Sequence, residues 1–195
     1  MRAGCIVEGH GEGEAFPIVL RRLAEALSPN TEFFVERPIR IPRGRLVKQG
    51  EIERAVELLA RRVGPRGAVF VLVDADDDCP AVLGPNLLAR AKAARSDRGI
   101  SVVLAKREFE AWFLAAAASL RGCRGLRADL TAPATPETIR DAKGWLSERM
   151  AAPYREVLDQ PALAAKFDLD AARAAPSFDK LVRDVQRLIS LELGR

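Results

Sequence analysis

Apolar residues along the chain recur in two periods, and their alternation predicts a β/α succession. Residues 3–7 (AGCIV) form a short apolar run closed by Glu8 and Gly9. Phe16, Val19, Leu20, Leu23 and Leu27 then recur at helical spacing, which predicts a helix over 13–27. Residues 32–41 (EFFVERPIRI) read as a strand, with Pro38 marking an edge position or a break. Ile52, Val56, Leu59 and Val63 share one face of a helix over 50–63. The run AVFVLV (68–73) has the β-branched composition of a parallel strand buried on both faces. A helix over 81–95, a strand over 100–105 (ISVVLA) and a helix over 108–119 complete the series, with Trp112 and Phe113 assigned to the core. This order predicts a doubly wound, Rossmann-like α/β fold: a parallel sheet of about four strands flanked by helices.

From about residue 121 the pattern breaks into Arg, Gly, Pro and Thr, and beyond it only helical periodicity remains, over 136–150, 155–166 and 177–193. Ser177 is the expected N-cap of the last helix. The expected organisation is an α/β domain over 1–120, a linker or insertion over 121–135, and a helical extension over 136–195 packing on the core.

Composition narrows the classes. In 195 residues, 48% are apolar and 30% charged, too apolar for a disordered chain. No apolar run approaches the roughly 18–20 residues of a membrane span, and the N-terminus lacks the parts of a signal peptide, so the expected location is the cytoplasm. Three cysteines, odd in number and far apart with no CxxC, and a single histidine argue against a Cys/His zinc set and a disulfide framework. The formal charge of +4 permits a nucleic-acid partner without requiring one.

In an open parallel sheet, ligands bind beyond the carboxyl ends of the strands. There the first strand is followed by Glu8, the central one by Asp74, Asp76, Asp77 and Asp78, and the last by Glu108 and Glu110. Asp74 and Asp76, at i and i+2 of an extended segment, are expected to project together. Crowded carboxylates repel one another, and a hard divalent cation with oxygen ligands relieves that repulsion; Mg²⁺ (or Mn²⁺) is the expected ion. A solvated acidic turn is the alternative for the aspartates alone. The carboxylates at 108 and 110 also suit the first turn of a helix.

The glycine-rich GHGEG stretch (9–13) fits neither the dinucleotide fingerprint, since Glu14 stands at the third glycine's place, nor the Walker pattern. Its glycines are expected to let the backbone turn tightly beside a metal. His10 is a candidate general base or phosphate ligand, set against an incidental loop histidine. No serine or cysteine has a base to complete a nucleophilic triad. Arg37, Arg40, Arg43, Arg45 and Lys48 form a basic segment suited to phosphates, or else a solvated loop.

A strand ending in Glu and a small residue (Val7-Glu8-Gly9), then a later apolar strand ending in Asp-x-Asp (Asp74-Ala75-Asp76), resembles the Toprim signature. That superfamily includes metal-binding domains of topoisomerases, bacterial primases and nucleases of the overcoming-lysogenisation-defect type. More narrowly, VEGHGE, DADDDC, REFEAW and SFDKL resemble a bacterial family of unknown function, DUF4276, over most of the chain. The resemblance implies that Glu8 serves as acid/base or metal-linked carboxylate and that Asp74 and Asp76 hold Mg²⁺. It also implies a second metal site completed by Asp78, Glu108 and Glu110, as in the nuclease branch. A topoisomerase's tyrosine nucleophile has no counterpart, because the single tyrosine, Tyr154, lies in the helical tail. The implied activity is Mg²⁺-dependent, nuclease-like phosphodiester processing of DNA or RNA, in a phage-defence or DNA-repair setting and with an ATPase partner. Two alternatives stand beside it: a non-catalytic adaptor docking that ATPase, and a small-nucleotide phosphotransferase.

Overall fold

The computed structural model describes residues 1–194. Strand β1 (Arg2–Val7) leads into helix α1 (His10–Leu27), followed by β2 (Phe34–Val35), β3 (Ile39–Arg40), α2 (Arg43–Leu46) and α3 (Glu51–Val63). Then come β4 (Gly67–Asp74), α4 (Pro80–Ala94), β5 (Gly99–Ala105) and the short α5 (Ala111–Ala115). The remainder is helical, with α6 (Ala142–Ser147), α7 (Glu156–Ala164), α8 (Leu169–Ala172) and α9 (Pro176–Leu193) among 3₁₀ turns.

The sheet is wholly parallel, in the order β2-β1-β4-β5, with β3 also paired to β1. β2 and β3 lie end to end along the same strand: Arg2 pairs with Phe34 and Ile6 with Ile39. They are one edge lane interrupted near Pro38, which has no N–H to give to the ladder. The break read from the sequence is therefore real, and an edge lane tolerates it.

Alternation along the strands sorts their side chains to two faces. Ile6, Val69, Val71, Val73, Ile100, Val102 and Leu104 join the apolar faces of α3 and α4. Ala3, Cys5, Val7, Phe70, Leu72 and Val103 join α1, α5 and the C-terminal helices. Five aromatic rings link the two parts of this second layer: beyond β5, Trp112 packs edge-on against Phe178 of the tail at a centroid distance of 5.1 Å and Phe113 against Phe167 at 5.5 Å, while Phe109 packs on both Trp112 and Phe113. The stretch read as a linker also contributes, burying Leu126 and Leu130 in the same cluster.

Ser177 is not the N-cap of α9. Ala175 holds that position, and Ser177 lies inside the first turn, where its N–H donates to Glu137 Oε1 at 2.9 Å and its hydroxyl accepts from Trp112 Nε1 at 2.8 Å. A carboxylate from a distant segment thus satisfies a helix N–H that a local cap does not reach. Among the described residues, no helix is long and apolar enough to cross a membrane.

Candidate metal centre

Because β1, β4 and β5 are parallel neighbours, their carboxyl ends share one edge of the sheet. Asp74 ends β4, Glu8 follows β1, and Glu110 follows β5 through the REFE turn. Asp74 is buried, and its Oδ1 accepts the Phe109 N–H at 2.8 Å, which ties the end of β4 to the segment after β5. Burial holds its carboxyl well above the usual range, and the charges of Glu12, Glu110 and Glu8 add to the effect against the opposing charge of Lys143. These five groups therefore share one electrostatic neighbourhood.

Glu110 is fully buried. Its Oε1 accepts from the Tyr154 hydroxyl and from Gln160 Nε2, each at 3.0 Å, whereas its Oε2 has no hydrogen-bond partner. Burial raises the carboxyl to about 7, although Lys143 and the Tyr154 hydroxyl pull it down. Half-buried Glu8 likewise keeps an unpartnered Oε2. Burial and the charge of Asp76 raise its carboxyl, opposed by the Arg43 backbone N–H and guanidinium.

Asp76 and Asp74 do not project together, contrary to the extended-segment expectation. The ladder runs on past β4, Ala75 N donating to Ala105 O and Asp76 N to Arg107 O. At that point Asp76 (φ 48°) and Arg107 (φ 67°) both enter the left-handed region. This conformation costs an L-residue with a Cβ, although aspartate tolerates it better than most. It turns Asp76 outward, its side chain 60% exposed, into an ion pair with Arg43 that also takes in Asp78. Asp77 faces Arg107 and Arg140. Glu108 accepts the Lys143 N–H through Oε2 at 3.2 Å, at the start of α6, while burial raises its carboxyl.

Two of the three glycines of GHGEG, Gly9 and Gly11, are clearances. Gly9 has an ordinary φ of −89°, and Gly11 lies within the helix, so neither supplies a left-handed turn. A Cβ on Gly11 would sit 2.5 Å from Gln160 Oε1 and 2.8 Å from the Glu156 carbonyl oxygen; one on Gly9 would sit 2.8 Å from Glu156 Oε1. The glycines let α7 press against the first turn of α1, where Glu156 Oε1 accepts the Gly11 N–H at 3.2 Å. Glu12, buried, accepts the N–H groups of Glu8 and Gly9 through Oε2 at 2.9 and 3.1 Å, capping α1 from its third position. His10 is the exposed first residue of α1.

Lys143 completes the group. Its Nζ lies 3.2 Å from Glu156 Oε2. Burial pushes the ammonium down, but Glu110, Glu156 and Asp74 outweigh it and hold the group firmly protonated. Lys143, Glu156 and Gln160 carried no signal in the sequence reading, and Tyr154 was assigned only to the tail. The two glycines were the available sign that something approaches the start of α1.

In the basic segment, Arg43 is committed to Asp76 and Asp78, and Arg45 to Glu51. Arg37, Arg40 and Lys48 are exposed and form no ion pair among the described residues.

The donors suit a hard cation: carboxylates only, two with a buried oxygen lacking any donor, and all crowded enough to raise one another's affinity for positive charge. Yet among the described residues no three Asp, Glu, His or Cys side chains form a ready metal-binding group. Arg43 and Lys143 already neutralise part of the cluster.

The family model described as "Domain of unknown function (DUF4276)" matches residues 7–186, from the end of β1 into α9. No curated protein and no solved structure matches the chain significantly. With nearly its whole length matched, spanning every carboxylate of the cluster, the chain belongs to the DUF4276 family.

Proposed function

We propose that the protein is a Toprim-like, Mg²⁺-dependent enzyme that processes phosphodiester bonds of DNA or RNA. The observation that carries this reading is the set of carboxylates, Asp74 and Glu110 buried and Glu8 half-buried, delivered by three adjacent parallel strands, with donor-free oxygens on Glu8 and Glu110. Glu8, Asp74 and Glu110 would hold the metal, with Asp76 joining when released from Arg43. The ion would activate water and neutralise charge on the scissile phosphate. Tyr154 and Gln160 fix the Glu110 carboxylate by saturating one oxygen, leaving the other free. Glu8, with its raised carboxyl, is placed to hold a proton during hydrolysis. Arg43, Arg107 and Arg140 border the cluster and suit phosphate oxygens, and Arg37, Arg40 and Lys48 extend that border for a longer backbone. A cytoplasmic setting and a partner ATPase in phage defence or repair belong to the same reading.

The self-neutralised carboxylates favour a second reading, a non-catalytic adaptor. Incubation of DNA and RNA with the protein separates the two. The enzyme reading expects cleavage that requires Mg²⁺ or Mn²⁺, stops with EDTA, and is lost in Glu8→Gln. Cleavage that survives EDTA or the Glu8→Gln change overturns it.

A further inference from the structure

We propose that the open edge of β5 docks an extended segment of a partner protein, added as a further strand, in which apolar and acidic residues alternate. This surface is separate from the carboxylate cluster, and either reading can fail without the other. The two edges of the sheet are built differently. On one side, β2 and β3 are two short pieces interrupted near Pro38, a construction that discourages a further strand. On the other, β5 runs seven residues (GISVVLA) in unbroken register with β4 and contains no proline and no charge. It ends the sheet order, and among the described residues no other segment hydrogen-bonds to the backbone of 99–104 on the far side. Such an edge is a template for another strand.

A groove of about 530 Å³ lies along this edge, between α4 and α9. Its two walls differ in chemistry. Val102 and Leu104 join the α4 side, where Pro85 and Leu88 continue an apolar wall. The α9 wall carries Lys180 and Arg183, and Lys106, exposed and in no ion pair among the described residues, stands where β5 ends. Lys180 and Arg183 pair with Asp184 and Asp179 of their own helix, in partly exposed contacts weak enough to be exchanged. Successive side chains of a strand point to opposite faces. A strand laid beside β5 therefore turns every second residue toward α4 and the others toward α9. Alternating apolar and acidic residues meet both walls at once, while main-chain hydrogen bonds to β5 supply the affinity. A second copy of this chain suits the groove less, because a two-fold pairing of β5 with β5 sets the same cations against each other.

The test is fluorescence anisotropy with a fluorescein-labelled, end-blocked heptapeptide alternating valine and glutamate, matched to the length of β5. Saturable binding is expected, weaker by about tenfold in the double variant Lys180→Gln/Arg183→Gln, which removes two partly exposed cations. The corresponding valine–lysine peptide is expected not to bind. Two further versions of the valine–glutamate peptide carry backbone N-methyl groups, one on its valines and the other on its glutamates. In a strand the N–H groups of alternate residues face opposite edges, so one version should lose binding and the other keep it. Absence of saturable binding, equal binding of the valine–lysine peptide, or an unchanged affinity in Lys180→Gln/Arg183→Gln overturns the proposal. Equal behaviour of the two methylated versions overturns it as well, since the peptide is then not paired as a strand. A dimer in sedimentation that Leu88→Asp dissociates also overturns it, because a second copy then fills the groove.

Discussion

At the scale of single residues, the cluster depends on atoms that are absent as much as on those present. Gly11→Ala would drive a methyl group into Gln160 Oε1 and the Glu156 carbonyl oxygen, backbone included. Such overpacking typically costs about 1–3 kcal/mol, and urea unfolding should show a loss of that size. A neutral Gly11→Ala would mean that α7 does not press on α1 as closely as described. Glu110 makes a second prediction. Its carboxyl rises from an ordinary 4.5 to about 7, first through burial. The folded state therefore binds this proton more tightly than the unfolded state, so the stabilisation is complete below about 4.5 and is lost as pH rises through about 7. Asp74, Glu8 and Glu12 shift in the same direction. Denaturant titrations in EDTA should show stability falling across this window, with a shallower fall in Glu110→Gln. Equal slopes in the two proteins would remove Glu110 from the buried set.

At the scale of elements, the carboxylates were legible and their companions were not. Glu8, Asp74 and Glu110 could be found because β1, β4 and β5 announce themselves by apolar runs, and a parallel sheet puts all their ends on one edge. The edge lane split at Pro38 was legible for the same local reason. Lys143, Tyr154, Glu156 and Gln160 arrive from helices whose periodicity shows which face is apolar but not where on the sheet they dock. Asp76, Asp77 and Asp78 form the solvated acidic turn that the sequence offered as the alternative, but the left-handed backbone of Asp76 within it was not legible. Ser177 misled because Glu137, distant in sequence, satisfies the N–H beside it.

The docking of α9 has its own test. On the strand facing it, buried Ser101 donates to Asp184 Oδ2 at 2.6 Å, and Asp184 also pairs with Lys180. Asp184→Ala leaves a buried hydroxyl without its acceptor, a loss of about 1–3 kcal/mol. Ser101→Ala combined with Asp184→Ala should recover part of it, because an apolar pair leaves no orphaned group. Strict additivity of the two changes in urea unfolding would show that this hydrogen bond does not hold β5 to α9.

At the scale of the whole molecule, the sheet gathers negative charge at its carboxyl edge while basic groups from three separate regions surround it: Arg43 from α2, Arg107 from the turn after β5, and Arg140 just before α6 with Lys143 in its first turn. These basic groups neutralise part of the acidic centre, and the proposed metal centre would draw on the same carboxylates. Asp74 is the residue on which this turns. Asp74→Asn keeps an oxygen to accept the Phe109 N–H but removes the charge at the end of β4. The decisive measurement is the melting temperature of wild type and Asp74→Asn with and without millimolar Mn²⁺, since a ligand stabilises only the state that binds it. Wild type should melt higher with Mn²⁺, whereas Asp74→Asn should match or exceed wild type in EDTA and gain nothing from the ion. A wild-type melting temperature indifferent to Mn²⁺, or an Asp74→Asn variant that responds as wild type does, would contradict a metal centre at this edge of the sheet.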